Sequence, residues 1–314
     1  MKTQENIIEQ IRGYIDVSEI IPVTRGYSFD EKYLCITGTG EKYLFRVTKS
    51  DDARVLTSRR EQFNLIRQLG DYSDLVPKAY YFWFSEDHRS CQMILEFFDG
   101  EDGEHSLKTL SEEVQYDIGY SAGVELRKLH KLSAPREYSS WSFLKWRKYK
   151  WYCNEYNKNS LVPEGVDLEI VDTFIKKHKS FMDDISPTFQ HDDFHPANLI
   201  IENGRLNGII DFNRCDFGDP IHDFVPSAHF TRNISIPFAQ GQIDGYFNGQ
   251  VPMDFWKRYS LYCAMSIIPN IVWSVRYDIQ TGSHQEIEKA FIRIRTIYDD
   301  HDGFSSMIPG WYKE

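Results

Sequence analysis

The sequence predicts an α+β protein with two lobes, a small strand-rich N-terminal lobe and a larger, mostly helical C-terminal lobe. Short β-rich runs separated by turn residues fill the first hundred positions. Helical periodicity dominates the remainder. The pattern changes at EFFDGED, residues 96–102, so we place the lobes at residues 1–98 and 99–314.

Length and composition set the class of protein. A chain of 314 residues is long enough for two compact units. Its hydrophobic content of 41% and aromatic content of 15% exclude disorder. The five cysteines are odd in number and contain no CxxC pair, so they indicate neither a disulfide framework nor a zinc site. A reducing cytoplasm is the expected location.

Charge and hydropathy exclude two kinds of partner. A formal charge of −11 argues against nucleic acid, whose phosphates require a basic face, and would suit a cationic small molecule. The N-terminus lacks the apolar core of a signal peptide. No window reaches the roughly 20 apolar residues of a membrane helix, and residues 260–273 are expected to form a buried core helix. We therefore expect no membrane partner.

The individual elements follow from local patterns. In the N-terminal lobe one helix, Val55 to Gly70, interrupts five predicted strands, namely residues 18–24, 32–37, 42–48, 78–84 and 91–98. In the C-terminal lobe, helical patterns cover residues 106–132, 142–158 and 166–184, and three further helices follow residue 224.

Two acidic segments interrupt the C-terminal pattern, QHDDFHPANLI at 190–200 and LNGIIDFNRCDFGDPIHDF at 206–224. The Asn203-Gly204 dipeptide predicts a tight hairpin with Asn198 at its entry and Asp211 at its far end. An amide oxygen and a carboxylate form a hard-oxygen pair that suits Mg²⁺. Asp193 lies five residues before Asn198, where it can accept a proton from an attacking hydroxyl.

The spacing DxxxxN followed by IDF repeats the catalytic arrangement of protein kinases. HDDFHPAN and IDF with GDP closely resemble the HGDxHxxN and IDFxxxxxGDPxxDL signatures of the aminoglycoside phosphotransferase and choline kinase superfamily. VTRGYS, EFFDGED and GVELRKLHKL extend the resemblance over nearly the whole chain. It implies a protein-kinase-like fold. Asp192 departs from it, because the family often has glycine there.

The resemblance also implies where a nucleotide binds. Gly26 and Ser28 resemble the loop that covers the phosphates, and Glu96 and Phe98 resemble hinge residues whose backbone pairs with the base. Glu61 resembles the acid that orients a basic strand residue. A solvated glutamate beside two arginines is the alternative interpretation.

Arg46 is the basic residue that we expect at the phosphates. Phe45 and Val47 alternate with it, so it lies in the middle of a strand on the opposite face. A charge there costs several kcal/mol to desolvate unless it is paired, and the triphosphate and Glu61 are the partners expected. Lys49 lies beyond the strand and is expected to be solvated.

Other polar residues of the two segments are expected to be structural. A zinc site at His191 and His195 is not expected, since no cysteine or third histidine lies nearby, and the family resemblance implies that these histidines brace the loop. Asp219 precedes Pro220 and is expected to cap a helix. Asp223 is expected to accept hydrogen bonds from backbone donors of the loop.

Together these features predict an O-phosphotransferase that moves the γ-phosphoryl group of ATP or GTP to a hydroxyl of a small molecule, with Asp193 as base and Mg²⁺ held by Asn198 and Asp211. An aminoglycoside-like acceptor is the first hypothesis, with acidic walls offered by Glu155, Asp183, Asp184, Asp192 and Asp216. A metabolite kinase acting on choline, a sugar or an amino alcohol, or a macrolide kinase, is the alternative.

Residues 141–158 are expected to cover the acceptor. A catalytically silent nucleotide-binding module is a hypothesis of another class. The presence of Asp193, Asn198 and Asp211 together argues against it.

Overall fold

A computed structural model describes residues 4–24, 30–158, 161–283 and 285–313. Gly26 and Ser28, predicted to cover the phosphates, lie outside the described residues. The chain divides into two compact units. The first comprises Met1–Glu101, Ile200–Asn203 and Asn207–Asn213, and the second comprises Asp102–Leu199, Gly204–Leu206 and Arg214–Glu314.

The first unit is built on a five-stranded antiparallel sheet with the strand order β1-β2-β3-β5-β4. The predicted strands and helix are present, and each begins and ends within two residues of its expected bounds. The elements in chain order are α1 (Gln4–Ile11), β1 (Val17–Pro22), β2 (Glu31–Thr37), β3 (Lys42–Lys49), α2 (Ala53–Leu69), β4 (Ala79–Phe84) and β5 (Ser90–Glu96).

The alternation along β3 sorts its side chains between the two faces of the sheet. Phe45 and Val47 join the apolar cluster that Ile7 and Ile11 of α1 complete. Arg46 points to the opposite face and is nevertheless buried, with 5% of its surface exposed. The predicted strand register of Arg46 is therefore confirmed, and its charge needs partners within the unit.

The rest of the chain is mostly helical, as predicted, and three long helices follow residue 224. Its elements are β6 (Glu101–Asp102), α3 (Gly103–Ser106), α4 (Glu112–Leu129), α5 (Trp141–Tyr156), α6 (Leu168–His178), β7 (Thr188–Gln190), β8 (Leu199–Glu202), β9 (Arg205–Ile209), β10 (Asp216–Gly218), α7 (Arg232–Ile234), α8 (Ile236–Phe247), α9 (Met253–Thr281), α10 (Glu286–Asp300) and α11 (Gly310–Lys313). Short 3-10 turns occupy Pro196–Asn198 and Pro220–Phe224.

The hairpin predicted from Asn203-Gly204 is present between β8 and β9. Both turn residues have positive φ, 51° for Asn203 and 69° for Gly204, as a type I′ turn requires. The turn aligns the short strands that follow Asn198 and precede Asp211.

The apolar segment at residues 260–273 lies inside α9, and most of its side chains are buried. This confirms the expected core helix. None of the helices in the described ranges is long and apolar enough to cross a membrane.

Helices α4 and α8 approach each other at the level of their backbones. A Cβ added to Gly123 of α4 would overlap the carbonyl oxygen of Gln242, and one added to Gly245 of α8 would overlap that of Tyr120. Any larger residue at these positions would push the helices apart.

We expect Gly123→Ala to lower the free energy of unfolding by about 1–3 kcal/mol, because the added methyl group overpacks this contact. Urea denaturation measures the change. Gly38→Ala is the matched control, since a Cβ at Gly38 meets no atom within 4 Å. Equal effects of the two substitutions would show that the close helix contact does not limit stability.

Candidate active site

The segment 191–198 is a loop fixed at its start by a short sheet. Antiparallel pairing of β7 with β10 places Gln190 opposite Asp216, and the side-chain amide of Gln190 donates to the carbonyl oxygen of Asp219. Phe194 is completely buried in the middle of the loop. The apolar residues of this segment thus anchor the loop, while its charged neighbours remain available for other contacts.

Asp223 holds the backbone of this loop. Its fully buried carboxylate accepts hydrogen bonds from the amides of His191 and Asp192, both at 2.7 Å, and lies 3.0 Å from Nε2 of His130. An ionised carboxylate only accepts, so Nε2 of His130 carries the proton. Nδ1 of that ring is hydrogen-bonded to the Tyr246 hydroxyl at 2.9 Å. The predicted role of Asp223 is confirmed.

Asp219 has the predicted capping role and two contacts that the sequence did not indicate. It accepts from the amide of Ile221 at 2.9 Å, at the start of a 3-10 turn. Its carboxylate also accepts from Arg258 at 2.9 Å and from the Tyr262 hydroxyl at 2.6 Å. Both partners lie on α9, so Asp219 joins the loop region to the core helix.

Asp193, the predicted base, is partly buried between two basic groups. Its Oδ1 lies 3.5 Å from Nε2 of His195 and 3.7 Å from a guanidinium nitrogen of Arg214. Burial alone would raise the pKa of the Asp193 carboxyl, but the hydrogen bond with His195 and the charge of Arg214 outweigh it and lower the pKa. The carboxylate is therefore ionised at neutral pH and available to accept a proton.

Asn198 belongs to the same loop and contacts Asp193 directly. Its side-chain nitrogen donates to the backbone carbonyl of Asp193 at 2.9 Å and lies 3.4 Å from Nε2 of His195. Because the nitrogen is engaged, the side-chain oxygen is the atom that Asn198 offers to a metal ion. The structure thus brings two of the predicted site residues together in the second unit.

A second polar cluster lies in the first unit, around Arg46. The guanidinium donates to Asp30 at 2.5 Å and to the side-chain oxygen of Asn213 at 2.6 Å. The side-chain nitrogen of Asn213 in turn donates to Asp211. Arg46 and Asp211, both predicted site residues, therefore belong to one hydrogen-bonded network joined by a residue that the sequence analysis missed.

The backbone of Asp211 has a φ of 65°, which residues other than glycine rarely adopt. Such strain persists only where surrounding contacts enforce it, and it is common at functional sites. Here Asn213, two residues further along, holds the Asp211 side chain.

The expectation that Glu61 orients Arg46 is wrong in this structure. Leu56, Phe63 and Ile66 fix the buried face of α2, and this leaves Glu61 exposed while its neighbour Gln62 turns inward. Gln62 donates to Asn213 at 3.0 Å. The alternative interpretation of Glu61, a solvated glutamate, describes its exposed side chain.

Asp30 takes the place expected for Glu61. Burial would raise the pKa of Asp30, but the charges of Arg46 and Arg59 lower it, so the carboxylate remains ionised. No sequence motif marked this residue. The only local signal was the position of Asp30 just before β2, the strand that pairs with β3. Residues on a neighbouring strand are the nearest possible partners of a buried arginine.

Lys32 is a second cation on the same face of the sheet. It lies directly opposite Arg46 in the pairing of β2 with β3. Burial and the positive charge of Arg46 lower the pKa of Lys32. Lys49, in contrast, is exposed and paired with Glu31.

The predicted hinge residues lie where β5 ends. The amide of Glu96 donates to the carbonyl oxygen of Lys78 at 2.8 Å, and its carboxylate accepts from the Lys78 amide at 3.1 Å. The ring of Phe98 packs against Gly208, where a Cβ would overlap it. Contacts within the first unit therefore fix the path of the backbone from Glu96 to Phe98.

Histidine, cysteine, aspartate and glutamate side chains do not gather in groups of three or more that could hold a metal ion, as far as the described residues are concerned. A Mg²⁺ bound by one amide, one carboxylate and nucleotide phosphates requires no such group.

Residues 19–256 match the model of the phosphotransferase enzyme family known as APH. The match covers most of the chain, and the protein therefore belongs to this family. Among curated proteins, no sequence matches the chain.

Solved structures with the same fold include three aminoglycoside phosphotransferases. ADP-bound APH(2'')-Ib has a TM-score of 0.66 at 19% identity, and the alignment covers 94% of this chain and 99% of that one. The streptomycin–ATP complex of APH(2")-IIa has a TM-score of 0.65 at 20% identity, with the same coverage. The GDP and kanamycin complex of APH(2")-IIia has a TM-score of 0.65 at 15% identity, covering 92% and 97%.

These matches confirm the predicted kinase-like fold, with a β-sheet N-terminal part and a mostly helical C-terminal part. The family match identifies the chain as a phosphotransferase.

We expect Asp223→Asn to lower the free energy of unfolding by about 2–3 kcal/mol, because an amide has one accepting oxygen and leaves a buried donor of the loop or His130 without a partner. Chemical denaturation measures the change. Asp254→Asn is the control, because that exposed carboxylate pairs with Arg258 at the surface and should cost less than about 1 kcal/mol. Comparable losses would refute the anchoring role of Asp223.

Proposed function

We propose that the protein transfers the γ-phosphoryl group of ATP or GTP to a hydroxyl group of a small molecule, with Asp193 as the base. The observation that carries the proposal is the ionised Asp193 carboxylate, on a loop that Asp223 anchors and that also presents Asn198. Residues 1–98 would form the nucleotide-binding lobe and residues 99–314 the catalytic and acceptor-binding lobe.

Asp193 would hold the acceptor hydroxyl by a hydrogen bond and take its proton as the oxygen attacks phosphorus. The carboxylate is free of its own proton at neutral pH, because His195 and Arg214 lower its pKa. The contact with Asn198 fixes the backbone carbonyl of Asp193 and thereby the direction of its side chain. The protein thus contributes position and charge rather than a covalent intermediate.

Asn198 and Asp211 would hold Mg²⁺, since an amide oxygen and a carboxylate are ligands that this hard cation accepts. A bound Mg²⁺ would neutralise charge on the nucleotide phosphates. The Asn213 contact orients Asp211, and the Asp193 carbonyl orients the Asn198 amide. Each proposed ligand therefore has a positioned side chain within its own unit.

Arg46 would pair with the nucleotide phosphates, with Lys32 beside it on the same face of the sheet. Glu96 and Phe98 would offer backbone groups to the base, and Gly26 and Ser28 would belong to the covering loop. The similar structures carry ADP, ATP or GDP, so they leave both ATP and GTP as co-substrates for this chain.

An aminoglycoside-like acceptor is the first hypothesis, because similar structures contain streptomycin or kanamycin. A cavity of about 480 Å³ in the second unit is lined by Asp183 and Asp184 with Ser140, Trp141, Ser142, Met182 and Ile185. Two exposed carboxylates there would suit a cationic acceptor.

A metabolite acceptor is the second hypothesis, and α5 favours it. This helix carries Lys145, Arg147, Lys148 and Lys150, and its only acid, Glu155, is paired with Lys158 and Arg276. Two further acids proposed as pocket walls are also engaged, Asp192 with His222 and Asp216 with the Tyr138 hydroxyl. A polycation would meet repulsion along α5, whereas a neutral sugar would not.

We expect Asp193→Asn to abolish phosphoryl transfer while folding and nucleotide binding remain nearly unchanged, because the amide keeps the shape but cannot take a proton. A coupled assay of nucleotide turnover with aminoglycosides, macrolides, choline and sugar amines first finds the acceptor. Turnover of the variant within a few-fold of the original protein would exclude Asp193 as base. A protein that binds nucleotide yet turns over none with any acceptor would be the silent module instead.

We expect Arg46→Ala to lower kcat/KM for the nucleotide by ~2 kcal/mol or more, as loss of a charge-assisted contact should, and Lys49→Ala to change it little. Steady-state kinetics measure both. Arg46→Ala also leaves the carboxylate of Asp30 with fewer partners, which affects folding. The double variant Asp30→Asn, Arg46→Ala removes that charge as well, so a loss of kcat/KM that persists in it reports phosphate binding and not folding. A larger effect of Lys49→Ala would make Lys49 the phosphate ligand.

A further inference from the structure

A row of three titratable side chains in the second unit lies beside the proposed base and takes no part in the steps above. Oδ1 of Asp192 lies 3.1 Å from Nδ1 of His222, and Nε2 of the same ring is hydrogen-bonded to Nζ of Lys145. The row therefore runs from α5, through the 3-10 turn at Pro220–Phe224, to the residue that precedes Asp193.

Chemistry fixes which ring nitrogen of His222 carries the proton. Burial would raise the pKa of the Asp192 carboxyl, but the contact with His222 and the nearby lysine charges lower it to about 2. Lys145 donates to Nε2, so Nδ1 of the neutral ring carries the proton and faces the Asp192 carboxylate at 3.1 Å, in electrostatic contact but outside hydrogen-bond geometry. Burial, followed by the charge of Lys145, lowers the pKa of His222, so its ring is neutral and Nε2 accepts from the lysine.

Aromatic rings hold this row in place. The His222 ring lies edge-on to Trp141 and to Tyr262, with centroids 5.4 Å apart in each case. Nζ of Lys145 lies 5.7 Å from the Trp141 ring and 5.8 Å from the Tyr262 ring, within the range of cation–π attraction. The imidazole thus has little freedom to leave its two partners.

Asp192 is held at both its backbone and its side chain. Its amide donates to Asp223, its φ is 59°, and its carboxylate reaches His222. A glycine would adopt this φ more easily, so an aspartate here carries a backbone cost. The side chain is the only feature that an aspartate adds at this position.

We propose that Lys145, acting through His222 and Asp192, positions the loop that carries Asp193 and so tunes phosphoryl transfer. This inference rests on the proposed function for its effect on turnover. The three residues are positioning residues, because the contacts lead to Asp193 through the chain and not to a reacting atom.

The row makes the position of the loop depend on pH. Burial, followed by the charge of Lys148, lowers the pKa of Lys145 to about 7. Below this pH the ammonium donates to His222 and the row is complete, and above it the charge is lost. We therefore expect turnover to decline as the pH rises past about 7. The titratable groups that face Lys145 are Lys148 on α5, Asp192 on the loop, His222 in the 3-10 turn and Tyr262 on α9.

The first test needs no substrate. NMR spectra of the full chain with ¹⁵N-labelled histidine and aspartate follow the ring nitrogens of His222 and the amide of Asp193 from pH 5.5 to 9. We expect both to shift with an inflection near pH 7 in the original protein, and this component to disappear in Lys145→Met. Titration curves that superimpose in the two proteins would overturn the proposal, since removal of the Lys145 charge would then leave the loop unaffected.

Lys148→Met is the matched control on the same helix. Removing this neighbouring positive charge should move the inflection to higher pH without abolishing it. An inflection that stays in place would show that Lys145 is not the titrating group, and this would overturn the proposal.

The second test measures turnover of MgATP and MgGTP across the same pH range, with water or the identified acceptor. We expect Asp192→Gly and Lys145→Met to lower kcat several-fold at pH 6.5, to leave the nucleotide KM nearly unchanged, and to flatten the decline above pH 7. Unchanged pH profiles would overturn the role in catalysis. Absence of turnover in the original protein would count against the proposed function alone, because the NMR titration still decides the positioning row.

Discussion

The buried carboxylate of Asp223 is the interaction on which the candidate catalytic loop depends. Two backbone amides of the loop and one imidazole converge on it without contact with solvent. A buried charge is tolerated only when its hydrogen-bonding capacity is used, so the loop cannot move without leaving a costly unpaired group. Asp223 thus holds the loop that carries Asp193 and Asn198, together with the pairing of β7 with β10 and the buried Phe194.

The buried charge of Arg46 is also stabilised by hydrogen bonds to its neighbours. A guanidinium in the middle of a strand would be unfavourable alone, but Asp30 and Asn213 use its donors on the inner face of the sheet. Asn213 then holds Asp211. Side chains that would meet phosphates or a metal are therefore positioned before any ligand binds, which limits the cost of reorganisation during phosphoryl transfer.

The charges along α5 and those at Asp183 and Asp184 bear on the choice of acceptor. A helix with several cations and a single paired acid is poorly suited to a polycationic antibiotic, whereas the carboxylates at Asp183 and Asp184 are well suited to one. These features favour different acceptors, and they lie at different places on the second unit. Lys145 also connects α5 to the candidate catalytic loop. It is hydrogen-bonded to His222, and the His222 ring contacts Asp192, the residue before Asp193.

Local patterns in the sequence determined the kinds of element, the Asn203-Gly204 hairpin, the face of β3 that carries Arg46 and the roles of Asp219 and Asp223. These depend on spacing over a few residues, on turn chemistry and on a recognisable motif. Tertiary structure alone decided the partners. Asn213 is 167 residues from Arg46 along the chain, and Lys145 is 77 from His222. Glu61 and Gln62 are adjacent, and the packing of Leu56, Phe63 and Ile66 turns the neutral glutamine inward and leaves the charged glutamate exposed. Contacts between distant residues arise from how helices and strands pack, and no short pattern encodes that arrangement.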